Sequence, residues 1–161
     1  TCCRFSFYEM ILQTNIAPIS IGYNNNTLIC EFGSHKVERE PSKVIAAQLA
    51  DYFAGNKTTA FTCELPDGTV FTRKCWEACR NIPFGETRTY AELAKSAGSP
   101  KAARAVGQAM RKNPLVIITP CHRVISSSGK LHGYAGTTDP QSKELRRKHF
   151  LLSFEKGIMK A

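Results

Sequence analysis

The stretch 89–114, TYAELAKSAGSPKAARAVGQAMRKNP, constrains the fold of this chain more than any other part of the sequence. Thr89, with a glutamate three residues later, has the spacing of a capping box and predicts the start of a helix. Gly98 fits the end of that helix, because glycine readily adopts the left-handed backbone of a helix terminus. Ser99 is then expected to cap a second helix, with Pro100 at its first position. Two short helices joined in this way predict a helix-turn-helix.

The flanking segments predict strands in the first part of the chain and helices in both parts. Three consecutive asparagines at 24–26 lie between apolar runs and predict a hairpin turn. A helix is predicted over 42–55, with Ser42 as its cap. Its apolar face is expected to comprise Val44, Ala47, Leu49 and Tyr52 or Phe53. An apolar run at 115–118 predicts a strand or extended segment, and the last helix is expected over about 140–156.

The segment 71–82, FTRKCWEACRNI, predicts an amphipathic helix. Its apolar residues fall at i, i+4, i+8 and i+11 of one face and are Phe71, Cys75, Cys79 and Ile82. The two cysteines are therefore expected to pack in the core rather than to bind a metal ion.

Charge is distributed unevenly along the chain. Residues 1–70 carry five Lys or Arg and seven Asp or Glu, which gives −2; residues 71–161 carry 17 and six, which gives +11; together these make the +9 of the whole chain. A basic half indicates contact with a polyanion such as nucleic acid, although a generic solvated surface has the same composition. The turn-like LPDGTV at 65–70 lies where the sign changes, so we expect an N-terminal domain over 1–68 and a C-terminal domain over 69–161.

Composition narrows the class of protein. The chain has 161 residues, 42% of them hydrophobic, which suffices for a packed core. Its longest apolar runs have about four or five residues, far below the roughly 20 of a membrane helix, and we expect no secretory signal. Seven cysteines without the dense spacing of a disulfide scaffold favour a reducing intracellular compartment. A zinc site is an alternative to buried thiols in the first half, with candidate ligands Cys2 or Cys3, Cys30, His35 and Cys63.

The second helix of the predicted motif carries small side chains. They are Ala102, Ala103, Ala105, Gly107 and Ala109. Small residues let a helix backbone approach another surface closely, and that surface is either a neighbouring helix or a groove of nucleic acid. In the second case the phosphates would be met by Lys101, Arg104, Arg111 and Lys112.

The segment PCHRV, 120–124, combines groups that can activate a nucleophile. A thiol at its ordinary pKa is only a few per cent thiolate at neutral pH, so a reactive Cys121 needs a base or a positive neighbour. His122 is adjacent and could act directly or through a water molecule. Its orienting acceptor could be Glu155, whose place near a helix C-terminus is locally unfavourable for an anion. The alternatives are a metal site, for which this spacing is poor, and an exposed Glu155 beside Lys156.

Taken together, these motifs resemble the methylated-DNA–protein-cysteine methyltransferases, the O6-alkylguanine-DNA alkyltransferases. The similarity is dense over about 71–157. It is carried by IPFGETRTYAELA at 82–94, PKAARAVGQAMR at 100–111, Asn113-Pro114, PCHRVI at 120–125 and the Leu-Leu-x-x-Glu pattern of 151–155. The resemblance implies an α+β fold, in which a small N-terminal mixed strand/helix domain precedes a mainly helical C-terminal domain with a winged-helix-like helix-turn-helix.

The resemblance implies a reaction for these residues. Cys121 would accept the alkyl group from O6 of guanine in DNA and, more weakly, from O4 of thymine. His122 would deprotonate Cys121 through a water molecule, and Glu155 would orient His122. Asn113 would hold the turn around the site, and Tyr90 would donate a proton or hydrogen bond to the departing guanine. The reaction would need no cofactor and no metal ion, and each molecule would react once.

The resemblance also implies a partner, double-stranded DNA that carries the alkylated base. A monomer would place the second helix of the motif in the minor groove, about 6 Å wide, and rotate the base out of the stack. Arg104 would fill the space that the base leaves. The other contact residues are expected to be Ala103, Ala105, Gly107, Met110, Arg111, Val124, Tyr134, Ala135 and Gly136. No membrane is expected, and the compartment would be the cytoplasm of a prokaryote or the nucleus of a eukaryote.

One departure from the family and three competing functions follow from the same residues. The Gly-Tyr-x-Gly-Gly loop of the family has Thr137 at its last position here, which bears on the size of the alkyl group accepted. A lesion-binding protein of the alkyltransferase-like type would lack Cys121. A helix-turn-helix regulator would not need Cys121 with His122 and Glu155. A Cys–His hydrolase would need an oxyanion site and turnover.

Overall fold

In the N-terminal part of the protein, the described residues form an antiparallel sheet and a helix. The computed structural model describes residues 5–6, 11–12, 17–25, 27–57, 60–129, 137, 139 and 141–158. The four strands lie in the order β1 (Phe5–Ser6), β2 (Ile11–Leu12), β3 (Ile19–Asn24) and β4 (Thr27–Phe32). Asn24 pairs with Thr27, and Asn25 has a φ of 47°, which asparagine tolerates better than most residues. The predicted hairpin is confirmed.

Helix α1 (Lys43–Phe53) begins as predicted, because the Ser42 side chain accepts a hydrogen bond from the Ile45 amide. Its buried side chains are Ile45, Leu49, Tyr52 and Phe53. The prediction that Val44 and Ala47 lie on the apolar face was wrong, since Val44 is 56% exposed and Ala47 is exposed. The inward register i, i+4, i+7, i+8 starts at Ile45, and each step along a helix turns a side chain by about 100°.

Helix α2 (Val70–Arg80) begins at the Thr69 cap, whose side chain accepts a hydrogen bond from the Thr72 amide. Cys75 and Cys79 are fully buried in the core of the helical half, and Phe71 packs against the same core. The predicted apolar stripe is therefore confirmed, and both cysteines pack in the core as expected.

Two short helices, α3 (Tyr90–Ser96) and α4 (Ala103–Arg111), form the predicted pair. The capping box of Thr89 and Glu92 is present in both directions. Gly98 follows α3 with a φ of 77°, as predicted. The indole nitrogen of Trp76 donates to the Ala109 carbonyl at 2.9 Å and ties α4 to α2.

The predicted start of α4 was wrong. The Ser99 carbonyl accepts a hydrogen bond from the Ala102 amide at 2.9 Å, so Pro100 lies in a turn that precedes the helix. The helix starts from Ala102, which makes no side-chain cap. A serine before a proline predicts a cap only when the chain continues directly into the helix, and here the turn uses those residues first.

The segment 115–118 does not form the predicted strand. Leu115 makes an isolated parallel bridge to Cys30, and the chain then turns at Ile117, whose φ is 70°. The apolar side chains of this segment are buried against the N-terminal sheet, which accounts for its composition without a strand. It leads into a 3-10 turn (Cys121–Arg123) and strand β6 (Val124–Ile125), which pairs in parallel with β5 (Arg88–Thr89).

Helix α5 (Lys143–Glu155) has Ser142 as its cap and begins three residues after the predicted Pro140; it ends before Gly157 as predicted. One hydrophobic cluster joins α2, α3, α4, Cys121 and the start of α5. A second cluster joins the sheet and α1 to the 115–118 segment and the end of α5. The architecture is α+β, and the division into two domains stays a prediction. Within the described residues, no helix is long and apolar enough to cross a membrane.

Candidate active site

Cys121 occupies the first position of the 3-10 turn, where the chain leaves the buried 115–118 segment. Its side chain is buried, and the Asn113 amide nitrogen lies 3.2 Å from its Sγ atom. The same nitrogen donates to the Thr119 carbonyl at 2.8 Å, and the Asn113 oxygen accepts from the Leu115 amide at 3.0 Å. Asn113 therefore holds both the backbone of the turn and the sulfur atom.

His122 is fully buried beside Cys121 and contacts the carboxylate of Glu155. Its Nε2 atom lies 2.6 Å from Glu155 Oε1. Its Nδ1 atom is buried and makes no hydrogen bond to any residue in the described part of the chain. Burial lowers the pKa of His122, opposed by the hydrogen bond and charge of Glu155. The imidazole is therefore neutral at neutral pH.

Glu155 is the last residue of α5 and is buried, so the alternative of an exposed carboxylate beside Lys156 was wrong. Arg123 donates through Nε at 2.9 Å to Oε2 and through Nη2 at 2.9 Å to Oε1. The Gly85 amide donates to Oε2 at 3.0 Å, and the Tyr52 hydroxyl donates to Oε1 at 2.7 Å. Burial raises the pKa of Glu155, but the hydrogen bonds and charges of His122 and Arg123 hold it well below the ordinary value.

These pKa directions fix the tautomer of His122. Because Glu155 is ionised and can only accept, the proton of a neutral His122 lies on Nε2. The lone pair is then on Nδ1, the nitrogen that has no partner within the described residues. A neutral imidazole with its lone pair on Nδ1 is a competent base.

Tyr90 and Lys148 also lie near Cys121, whose thiol influences the pKa of each. Tyr90 is the first residue of α3, and burial raises its pKa to about 12, with the nearby Cys121 and Cys79 adding to the effect. Lys148 is fully buried, donates to the Val124 carbonyl at 2.6 Å and lies 5.9 Å from the Tyr90 ring centroid. Burial lowers the pKa of Lys148 to about 8, against the influence of the two thiols.

The residues predicted to contact DNA divide into three groups. Arg104, Ala105 and Arg111 are exposed on α4, and Ala103 and Gly107 are half-buried. Met110 and Val124 are buried, both within the core of the helical half. The remaining three, Tyr134, Ala135 and Gly136, lie outside the described residues.

The alternative zinc site is only partly visible. Cys30 is fully buried, and the Nε2 atom of His35 lies 3.2 Å from the Phe32 carbonyl. Cys63 is half-buried and receives a contact from Arg80 at 3.5 Å. Cys2 and Cys3 lie outside the described residues, and no group of three or more metal ligands occurs within those that are described.

Sequence reasoning missed Tyr52, Gly85, Arg123 and Lys148. Arg123 and Gly85 lie inside motifs that were quoted without a role. Gly85 has a φ of 80°, and a Cβ atom there would lie 3.3 Å from the Glu155 carbonyl, so glycine permits the close approach. Tyr52 and Lys148 were read as helix residues, and no local signal distinguishes a buried polar contact from an ordinary amphipathic position.

The site has the groups found in one class of protein, in which a cysteine thiol is placed beside a histidine that contacts a carboxylate. A family model described as "6-O-methylguanine DNA methyltransferase, DNA binding domain" matches residues 70–157, more than half of the chain. Two curated relatives are named methylated-DNA–protein-cysteine methyltransferase. The relative from Methanosarcina acetivorans is 42% identical over 92% of this chain and 97% of its own length. The relative from Methanosarcina barkeri is 49% identical over 95% of this chain and 99% of its own length.

A solved structure is similar over nearly the whole fold. It is the Mycobacterium tuberculosis OGT in complex with DNA, with a TM-score of 0.75 and 38% identity, covering 94% of each chain. The chain therefore belongs to the methylated-DNA–protein-cysteine methyltransferase family.

Proposed function

We propose that this protein repairs DNA by moving the alkyl group of O6-alkylguanine to its own Cys121. The observation that carries the proposal is the 2.6 Å contact between Glu155 and the buried His122, next to a thiol whose sulfur atom contacts Asn113 at 3.2 Å. A base, an orienting carboxylate and a donor to the sulfur atom are what a nucleophilic thiol needs. Family membership supports guanine alkylated at O6 as the substrate.

In the proposed reaction, His122 Nδ1 takes the thiol proton of Cys121 through a water molecule. The Asn113 amide and the nearby imidazolium stabilise the thiolate. The sulfur atom attacks the alkyl carbon, an S–C bond forms, and the C–O bond breaks with its electron pair passing to the guanine. Tyr90 donates a proton or hydrogen bond to the departing base, and its raised pKa of about 12 keeps the hydroxyl protonated at neutral pH.

The proposed product explains why each molecule reacts once. A thioether on Cys121 has no good leaving group, so the acceptor is not regenerated and the alkylated protein is inactive. The reaction as written balances with residues of this chain alone and calls for no cofactor. O4-alkylthymine presents a similar oxygen-bound alkyl group and is proposed as a weaker substrate.

DNA binding is proposed to involve a winged-helix-like C-terminal domain over 69–161. Its helix α4 would enter the minor groove of the DNA. The exposed, small Ala105 and the half-buried Ala103 and Gly107 suit close approach to a groove about 6 Å wide. Arg104 would enter the stack in place of the rotated base. Val124, Tyr134, Ala135 and Gly136 would line the pocket, and the buried Met110 would support α4 from the core side. The protein would act as a monomer in an intracellular, reducing compartment.

Mass spectrometry of the intact protein and its peptides tests the proposal after incubation with a duplex that contains O6-methylguanine. We expect one added methyl group per protein molecule, mapped to Cys121, and unmodified guanine in the DNA. Cys121→Ala should bind the duplex without gaining mass. Cys63→Ala is the matched control, because Cys63 is a half-buried thiol outside the site, and it should react like wild type. Duplex binding by wild type without any mass gain would instead indicate a lesion-binding protein.

A further inference from the structure

We propose that Tyr52 is a positioning residue for alkyl transfer, which acts on His122 through Glu155. This inference rests on the proposed function and adds to the site a residue from the N-terminal half of the chain. Tyr52 lies in α1, 103 residues before Glu155, yet its hydroxyl donates to Glu155 Oε1 at 2.7 Å. The N-terminal half thereby enters the hydrogen-bond network of the alkyl acceptor.

Tyr52 and His122 share one oxygen atom of the carboxylate. Oε1 accepts from the Tyr52 hydroxyl at 2.7 Å, from His122 Nε2 at 2.6 Å and from Arg123 Nη2 at 2.9 Å. Every additional donor takes up part of the negative charge on this atom, so less of it stabilises a protonated His122. Tyr52 therefore moderates the basicity of His122 and fixes the direction in which Oε1 faces the imidazole.

The hydroxyl of Tyr52 is a permanent donor. The residue is 1% exposed, and its pKa lies well above the ordinary value because of burial and the adjacent charge of Glu155. A tyrosine that stays protonated cannot accept a proton from His122. Its contribution to Oε1 is constant over the pH range in which Cys121 and His122 exchange a proton.

Packing accounts for the ring of Tyr52 but not for its oxygen atom. The ring meets Phe53 edge-on at 5.1 Å between centroids and lies 5.7 Å from Phe84 and 5.6 Å from Phe154. A phenylalanine would fill the same space without burying a hydroxyl, which is costly unless it is paired. Glu155 already has donors in His122 and Arg123. The hydroxyl is thus separable from the aromatic cluster and acts on the carboxylate.

The test compares Tyr52→Phe with wild type in the rate of methyl transfer from an O6-methylguanine duplex, measured across pH. Because Oε1 loses one donor, more of its negative charge stabilises a protonated His122, so the pKa of His122 should rise. The acid limb of the profile of rate against pH should therefore move upward by about half a pH unit. Because Oε1 also loses the donor that fixes its direction toward the imidazole, the rate at neutral pH should fall about threefold to tenfold, the size expected for one hydrogen bond. An unchanged profile with only a lowered melting temperature would overturn the proposal.

The matched control is Phe53→Leu, which alters the same helix and aromatic cluster without touching the carboxylate. It should lower the melting temperature and leave the pH profile where it is. A shift of the profile in Phe53→Leu equal to that in Tyr52→Phe would mean that packing, not the hydroxyl, sets the effect.

Proton NMR of protein labelled with 15N-histidine separates this inference from the proposed function. The His122 Nε2 proton should resonate further downfield in Tyr52→Phe, because Oε1 becomes a stronger acceptor. This readout needs no substrate, so it holds even if wild type proves unable to transfer a methyl group, which would refute the proposed function alone. An unmoved resonance in Tyr52→Phe would refute the role of Tyr52.

Discussion

Asn113 makes the contacts that shape the turn around Cys121. Its amide nitrogen reaches the Thr119 carbonyl at 2.8 Å and the Cys121 sulfur atom at 3.2 Å. A donor aimed at sulfur favours the thiolate over the thiol, and so lowers the pKa of a cysteine. The sequence predicted that Asn113 holds the turn; the contact with the sulfur atom gives it a second way to influence the reaction.

Asn113→Asp tests the influence of this donor on the thiol. The carboxylate keeps an oxygen atom for the Leu115 amide but places negative charge near Cys121 Sγ, so the pKa of Cys121 should rise. We expect the second-order rate of methyl transfer at neutral pH to fall about tenfold to a hundredfold, the size of a hydrogen bond to a charged group. Reaction with a small disulfide reagent across pH measures the thiol pKa directly. A slower transfer with an unchanged thiol pKa would contradict this account.

The sequence predicted those site residues whose neighbours or position in a helix are unusual. Cys121 and His122 were predicted from adjacency, and Glu155 from an unfavourable position at a helix end, which the structure places 2.6 Å from His122. Tyr52 and Lys148 could not be predicted. Their positions look like ordinary amphipathic ones, and only the tertiary packing shows that they are buried with a polar partner.

Helix α4 combines small residues with exposed arginines on its outer surface. Ala105 and Arg104 are exposed, and Arg111 lies seven residues after Arg104, which places both arginines near one face. If α4 enters a groove, these arginines should differ in function: one at the stack, the other at the phosphates.

A comparison of Arg104→Ala with Arg111→Ala tests this difference. Arg104→Ala should slow transfer about tenfold or more at saturating duplex, since unstacking costs a few kcal/mol, and should leave reaction with free O6-alkylguanine base unchanged. Arg111→Ala should weaken duplex binding, most visibly at higher salt, and leave the saturated rate near wild type. The readouts are single-turnover rates on both substrates and duplex affinity. Equal loss on duplex and free base in Arg104→Ala would refute base extrusion by this residue.

The start of a helix could be predicted from the sequence where two nearby residues cap each other. The capping box of Thr89 and Glu92 fixed the start of α3, because the residues satisfy each other wherever the chain goes next. Ser99 failed as a cap because a turn separates it from the helix, whose cap position is Ala102. The 115–118 run failed as a strand because a buried apolar segment has no period that separates a strand from a turn within the core.

At the scale of the whole molecule, Glu155 joins segments that are far apart in sequence. Its carboxylate meets α1 through Tyr52, the loop before β5 through Gly85, and the 3-10 turn through His122 and Arg123. Of these segments, α1, the loop before β5 through Phe84, and the end of α5 share a hydrophobic cluster that spans both halves of the chain. The predicted separation at 68/69 follows charge and turn chemistry, which carry no information about packing across the boundary.

This arrangement makes part of the stability depend on pH through Glu155. Its pKa is held below the ordinary value in the folded protein, so its contribution to stability is present above about pH 4.5 and is lost as pH falls further.

Glu155→Gln should lower the free energy of unfolding by about 3 to 5 kcal/mol at pH 7, because it leaves Arg123 buried without a counter-charge. Urea unfolding should show this difference narrowing below about pH 4.5. Glu77→Gln, at an exposed position of α2, should match wild type at every pH. A difference from wild type that stays constant from pH 7 to pH 3 would mean that Glu155 contributes through packing rather than through its charge.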